Sequence, residues 1–284
     1  MTIIFTAATS SIIVMTVDSA VTLEFENHRE YEQGSKFYLF PGTGVVATWG
    51  ARDGNRPGLW LREQVQKVTP NVDGLADLVY TYITSEYQPR ERGADDVGYH
   101  IAGFQNAQPR VHHVFWGVDR PRLPEQVDRY YNRYDHSPHA RGLSLLYNGR
   151  NDLAAAVVGA LLAQIQAGGD VRYDIHTIAG LVKFSDFVAR YASELTPEVG
   201  PPFTTILLTP QGGVERITNN TFAPLNQEEV AHCLRDLGVE GKIKLVFPIR
   251  NSAVEDKQTG PLTAPSGIRL PNAGGTANIY GEET

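Results

Sequence analysis

Two short runs at the head of the chain, Thr2 to Ala8 and Ile12 to Asp18, flank the polar tripeptide Thr9-Ser10-Ser11. Both are dense in Ile, Val, Thr and Phe, residues that suit a pleated and at least half-buried surface. Two such runs across so short a break read as an antiparallel hairpin, and a hairpin this apolar commits the rest of the chain to building layers around it. A turn centred on residue 10 pairs residue 8 with 12, 6 with 14, 4 with 16 and 2 with 18. Opposed residues of an antiparallel ladder share a face. One face then carries Ile3, Phe5, Ala7, Ile13, Met15 and Val17, wholly apolar. The other carries Thr2, Ile4, Thr6, Ala8, Ile12, Val14, Thr16 and Asp18, with Thr2 and Asp18 as cross-strand neighbours. A one-residue slip would undo this separation.

Blocks of strands and blocks of helices follow. Lys36 to Phe40 and Thr43 to Trp49 form a second strand pair around Pro41-Gly42. Asn55-Arg56-Pro57 opens a helix with Pro in its first turn, and a second helix covers about Asp73 to Tyr87. Tyr99 to Phe104 and Val111 to Val118 make a hairpin, Asn151 to Gln166 and Ile175 to Leu195 two helices, and Phe203 to Leu208 with Val214 to Ile217 a further hairpin. Strands and helices that come in runs argue for antiparallel sheets with layered helices. Near-continuous apolar strands say that both sheet faces are covered. The expected fold is α+β, a four-layer αββα sandwich. A helix from the Asn226–Glu229 pair to Gly238 and a strand from Ile243 to Ile249 complete it. The domain thus covers 2–249, and the Gly-, Pro- and Asn-rich stretch 250–284 is an extended or disordered C-terminal tail.

The bulk numbers narrow the function classes. A formal charge of −7, spread along the chain, offers no basic footprint for nucleic acid. No stretch reaches the roughly 18 apolar residues of a membrane span. The first twenty residues make a poor secretory signal, because no Lys or Arg precedes Arg29 and Thr6, Thr9, Ser10 and Ser11 break the apolar run. A single cysteine, Cys233, on an amphipathic segment, allows no internal disulfide and fits a cytoplasmic setting. His112 and His113 are adjacent on a strand and point to opposite faces, and His136 and His139 lie in a Pro-containing loop without partnering Cys, so no metal site is expected. The arginines from Arg120 to Arg141 alternate with acidic residues and Tyr130, Tyr131 and Tyr134, a solvated or subunit-contact face rather than a nucleic-acid patch.

These segments together resemble the β-type proteasome subunits and their bacterial HslV-type relatives among the N-terminal-nucleophile (Ntn) hydrolases. The resemblance rests on Thr2 before a β-branched strand, VDSAVT at 17–22, GSKFYL at 34–39, YHIAGFQNAQPRVHHVFWGVDRP from Tyr99, NGRNDLAAAVVGALL from Asn148 and PPFTTILLTPQGGVERI ending at Ile217. It spans about residues 2 to 217. Asp18 falls on the family spacing from Thr2, and Lys36 comes about two residues late, across a loop at 23–35. The resemblance implies that Thr2, freed by removal of Met1, is the nucleophile and that Asp18 and Lys36 complete the catalytic set. Trp49 and Gly50 mark the oxyanion and substrate-binding region, and no cofactor is implied. The implied partners are a polypeptide or peptide substrate, an ATPase unfoldase, and further copies of the chain in a homo-oligomeric ring.

The chain departs from the family in two places. Asn148 stands where a Ser usually precedes the central helix. The Asp-x-x-Ser-Gly pattern before the closing hairpin is replaced by Thr196-Pro197-Glu198-Val199-Gly200-Pro201, with Glu194 or Glu198 as substitutes. Three functions are therefore carried: a proteasome-like threonine peptidase, an uncaged Ntn amidase, acylase or transpeptidase, and a non-catalytic ring-forming subunit.

Overall fold

The computed structural model describes residues 2–24, 29–50, 56–86, 97–117, 130–138, 142–149, 177–195, 199–211, 214–219 and 275–279. The helices expected at 151–166 and 226–238, the strand at 243–249 and Cys233 lie outside these residues.

The opening runs fold as β1 (Ile3–Ala8) and β2 (Ile13–Val17), antiparallel neighbours buried along their whole length. Their register differs from the expected one by a single residue. Ile4 faces Val17 and Ala8 faces Ile13, so the turn centres between residues 10 and 11. Thr9 sets it: its amide donates to Ile12 O at 2.8 Å, and its hydroxyl accepts from the amides of Ser11 and Ile12. Ile4, Ala8, Ile13, Met15 and Val17 share the inner face, whereas Phe5 and Thr16 point outward to a helix. The expected sorting of side chains is thereby corrected, and Asp18 falls opposite Ile3 rather than Thr2. Hydrophobic pattern fixes register where one face is wet. Here both faces are covered, so the hydroxyl at the turn decides.

The strand pair around Pro41-Gly42 is present as β5 (Phe37–Phe40) and β6 (Gly44–Gly50). The loop expected at 23–35 instead contributes to a small separate hairpin of β3 (Ala20–Glu24) and β4 (Arg29–Gln33). Helix α1 (Arg56–Val68) carries Pro57 in its first turn. Helix α2 (Val72–Thr81) is capped by Asn71, whose Oδ1 accepts the Gly74 amide at 2.8 Å, and it runs on into a wider turn at Tyr82–Glu86. Strands β7 (Val97–Gln105) and β8 (Gln108–Gly117) meet at Asn106-Ala107, both with positive φ (52° and 59°), the conformation that a two-residue hairpin turn requires. Then come β9 (Tyr130–Asp135) and β10 (Leu143–Gly149), helix α3 (Ile178–Leu195), β11 (Phe203–Leu208), β12 (Val214–Asn219) and β13 (Gly275–Ile279).

Two main sheets result. One has the order β12-β11-β2-β1-β10-β13 and the other β5-β6-β7-β8-β9. Their inner faces meet in a core of Ile4, Met15, Val17, Leu146 and Ile206 against Val45, Ala47, Trp49, Ala102 and Phe115. α1 and α2 cover the five-stranded sheet over Tyr38, Val46, Tyr99, Ile101 and Val114. α3 covers the other sheet, with Phe184 edge-on to Phe5 at 5.6 Å and Ser185 bonded to Thr16, which in turn meets Thr205. The molecule is thus an α+β αββα sandwich. Within the tail expected from residue 250, Gly275–Ile279 is extended and closes one edge of the six-stranded sheet against β10. Among the described residues no helix is long and apolar enough to cross a membrane.

Candidate active site

Thr2 sits immediately before β1, Asp18 immediately after β2, and Lys36 immediately before β5. The first two are brought together by the opening hairpin. The third comes from the facing sheet, where Thr48 N donates to Lys36 O at 2.8 Å and ties it to β6. All three are buried, at 5 %, 2 % and 2 % exposure. Lys36 Nζ lies 2.9 Å from Thr2 Oγ1 and 2.9 Å from each oxygen of Asp18. Thr2 and Asp18 therefore meet through Lys36, not as ladder partners.

The carboxylate is held from several sides. Oδ1 also accepts Ile3 N at 2.9 Å, and Oδ2 accepts Ala20 N at 3.1 Å. Burial pushes the Asp18 pKa upward, while the Lys36 charge and the Ile3 amide pull against that shift. A buried ammonium is tolerated only with a countercharge and filled hydrogen bonds, and Lys36 has both. One consequence for chemistry follows directly. A hydroxyl oxygen that accepts from an ammonium is stabilised as it becomes an alkoxide.

Gly50 ends β6 at φ 79°, a conformation that glycine adopts without strain, opposite Val97. The neighbouring indole of Trp49 turns into the core. A Cβ on Gly98 would lie 2.5 Å from that ring, and its Nε1 donates to His113 Nε2 at 3.3 Å. The Trp49 side chain is thus occupied with packing, leaving backbone as the part of this pair available to a ligand.

A second polar group spans the two sheets. His100 on β7 shares hydrogen bonds with Thr6 on β1 (Nδ1 to Oγ1, 2.9 Å) and with Asn148 on β10 (Nε2 to Oδ1, 2.6 Å). Desolvation lowers the His100 pKa to about 3. The neutral ring, protonated on Nε2, satisfies both partners. His113 packs edge-on to His100 and stacks on Phe115, and burial holds its pKa well below the ordinary value. His112 points the other way, to Asp73 of α2 at 2.8 Å. In the sequence Asn148 stands where a Ser of the family precedes the central helix. In the structure it lies within β10, and its partner 48 residues away in the sequence is visible only once the sheets stack.

The αββα sandwich, with two antiparallel sheets face to face and helices outside, defines a class: the proteasome-like Ntn fold. Solved structures agree with that class. The chain is similar to Anbu from Hyphomicrobium sp. strain MC1, at 12 % sequence identity over 86 % of this chain and 99 % of that one, with a TM-score of 0.53. It is also similar to Anbu, an ancestral beta-subunit, from Yersinia bercovieri, at 12 % identity over 84 % of this chain and 93 % of that one, with a TM-score of 0.51. At such identity the likeness is one of fold. No family model matches the sequence, and no curated protein matches it.

Proposed function

We propose that the protein is a threonine-type Ntn hydrolase that cleaves amide bonds, with Thr2 as nucleophile once the bond between residues 1 and 2 is cut. The observation that carries the reading is the buried contact of Lys36 Nζ with Thr2 Oγ1 and both Asp18 oxygens. A threonine hydroxyl is a weak nucleophile and needs a base. A freed α-amine, with an ordinary pKa of about 7.7–8.0, is partly neutral near pH 7 and takes the hydroxyl proton through a water. As the proton leaves, Lys36 stabilises the oxygen, and Asp18 keeps the ammonium in place. The alkoxide adds to the substrate carbonyl to give a tetrahedral oxyanion, for which the backbone at Gly50 is the proposed donor. Collapse expels the amine product, which takes up a proton. Water then hydrolyses the ester on Thr2 and restores the hydroxyl. The substrate in this reading is a peptide or polypeptide, the setting cytoplasmic, and the working form a closed ring of identical subunits served by an ATPase unfoldase.

The test is direct. Thr2→Ala removes one hydroxyl at a strand end and is expected to abolish turnover while the fold persists. Thr2→Ser keeps hydroxyl and amine and is expected to retain part of the activity. An electrophile that requires a hydroxyl and a free amine on one residue should label Thr2. Labelling elsewhere, or undiminished turnover in Thr2→Ala, would overturn Thr2 as the nucleophile, and wild-type protein with neither labelling nor turnover leaves a non-catalytic subunit as the reading that stands.

A further inference from the structure

Beside the Thr2–Lys36–Asp18 cluster lies a hydroxyl that this mechanism does not use. Ser19 Oγ is buried and has no hydrogen-bond partner among the described residues. Buried hydroxyls are seldom left so. Its backbone is fixed on both sides: Ser19 N donates to Gly200 O at 3.2 Å, and Ser19 O accepts from Gly34 N at 2.8 Å. The β1–β2 register then says what it faces. Ile4 opposes Val17, and the Asp18 amide reaches Ile3 O at 3.3 Å. Carried two positions past its last pair, Ile4 with Val17, the same register places Ser19 across from Thr2.

We propose that Ser19 is a positioning residue for the α-amine of Thr2, its hydroxyl oxygen accepting one N–H of that amine. The proposal rests on the reading of Thr2 as an N-terminal nucleophile. A peptide nitrogen carries one hydrogen, whereas the amine released by cleavage carries two, or three as an ammonium. Cleavage therefore creates a demand for acceptors at this spot. The Asp18 carboxylate is already taken up by Lys36, Ile3 and Ala20. Ser19 Oγ is the buried acceptor left over. With one N–H held there, the amine lone pair is fixed in direction instead of rotating about the N–Cα bond. Ser19 thus supplies that acceptor from just beyond β2, across from the strand that Thr2 begins.

The experiment uses full-length protein whose intact mass shows the residue 1–2 bond cut, and a peptidyl epoxyketone as the electrophile. Inactivation is followed against concentration and pH for wild type, Ser19→Ala and Ser19→Thr. Loss of orientation in Ser19→Ala should slow the limiting rate of labelling about tenfold at unchanged half-saturation. An acceptor favours the ammonium over the neutral amine, so deleting it should also move the acid limb of the profile about half a unit to lower pH. A residue with only a packing role would leave that limb where it is. Ser19→Thr keeps the hydroxyl and should recover both properties. Wild-type rate and limb in Ser19→Ala, or a Ser19→Thr variant as impaired as Ser19→Ala, would overturn the role of Ser19 while Thr2 stays labelled. Processed wild-type protein that is not labelled at Thr2 would instead overturn the reading of the site.

Discussion

At 2 % exposure the ammonium of Lys36 is deprived of water, and Asp18 supplies its countercharge. Asp18→Asn keeps the shape and removes the charge. We expect it to lower unfolding free energy by about 3–5 kcal/mol, because an unpaired buried charge costs more than the pair ever contributed. Combining it with Lys36→Met should restore much of that loss while turnover stays absent. Urea unfolding of the two single variants and the double variant measures the coupling, and additive losses would contradict it. Thr2 and Asp18 were legible as polar ends of the opening hairpin, one residue out of register, whereas Lys36 joined them only through the family resemblance. Ser19 was not, although it stands next to Asp18. Its significance comes from an empty hydrogen-bonding position, which no pattern of residue types displays.

Between the two sheets, His100 of β7 and His113 of β8 are buried as neutral rings, and His136, which follows β9, lies half-buried beside His113. Burial lowers the pKa to about 3 at His100 and about 4 at His136, with His113 also depressed. In the unfolded chain each would take a proton below about 6.5, so the unfolded state binds more protons across that window. Stability therefore falls as the pH drops from 6.5 toward 4. At pH 5 the loss is about 2 kcal/mol for each fully buried ring. Asp186, its pKa raised by burial to about 6, and Asp18, raised by burial against the pull of Lys36, work in the opposite direction, but each has a neighbouring cation that offsets its burial, and they oppose three depressed histidines. The urea midpoint should be clearly lower at pH 5 than at pH 7, and an unchanged or higher midpoint would contradict this. At this scale the hairpins around Pro41-Gly42 and Asn106-Ala107 were plain from turn residues and flanking apolar runs. Polar strands were not. REYEQ (β4) and YYNRYD (β9) lack apolar alternation, and each is held in place by a partner strand.

For the whole molecule, both helical layers present aliphatic side chains to solvent. Leu59 on α1 is 65 % exposed and Ile178 at the start of α3 is 43 % exposed. Such residues suit contacts between copies, and cyclic closure is the usual arrangement of identical subunits. We expect light scattering to report a multimer at micromolar concentration and Leu59→Asp to weaken it. A monomer throughout would contradict the ring. The layered αββα order was legible because runs of strands and helices alternate in blocks; the tail strand was not, since GTANI carries little β signal of its own. One feature of the six-stranded sheet bears on how the molecule comes into being. Its first strand lies in the interior between β2 and β10, and β10 is finally closed by β13. The pairings of β1 with β10 and of β10 with β13 each join segments well over 100 residues apart, the kind of non-local contact that slows folding. During synthesis the opening hairpin therefore leaves the ribosome with both edges bare; the β1 edge waits for half of the chain before β10 covers it, and the β2 edge waits longer still, for β11. The threonine at its open end becomes enclosed only after that long-range pairing, so the Thr2–Lys36–Asp18 cluster would be completed late in folding.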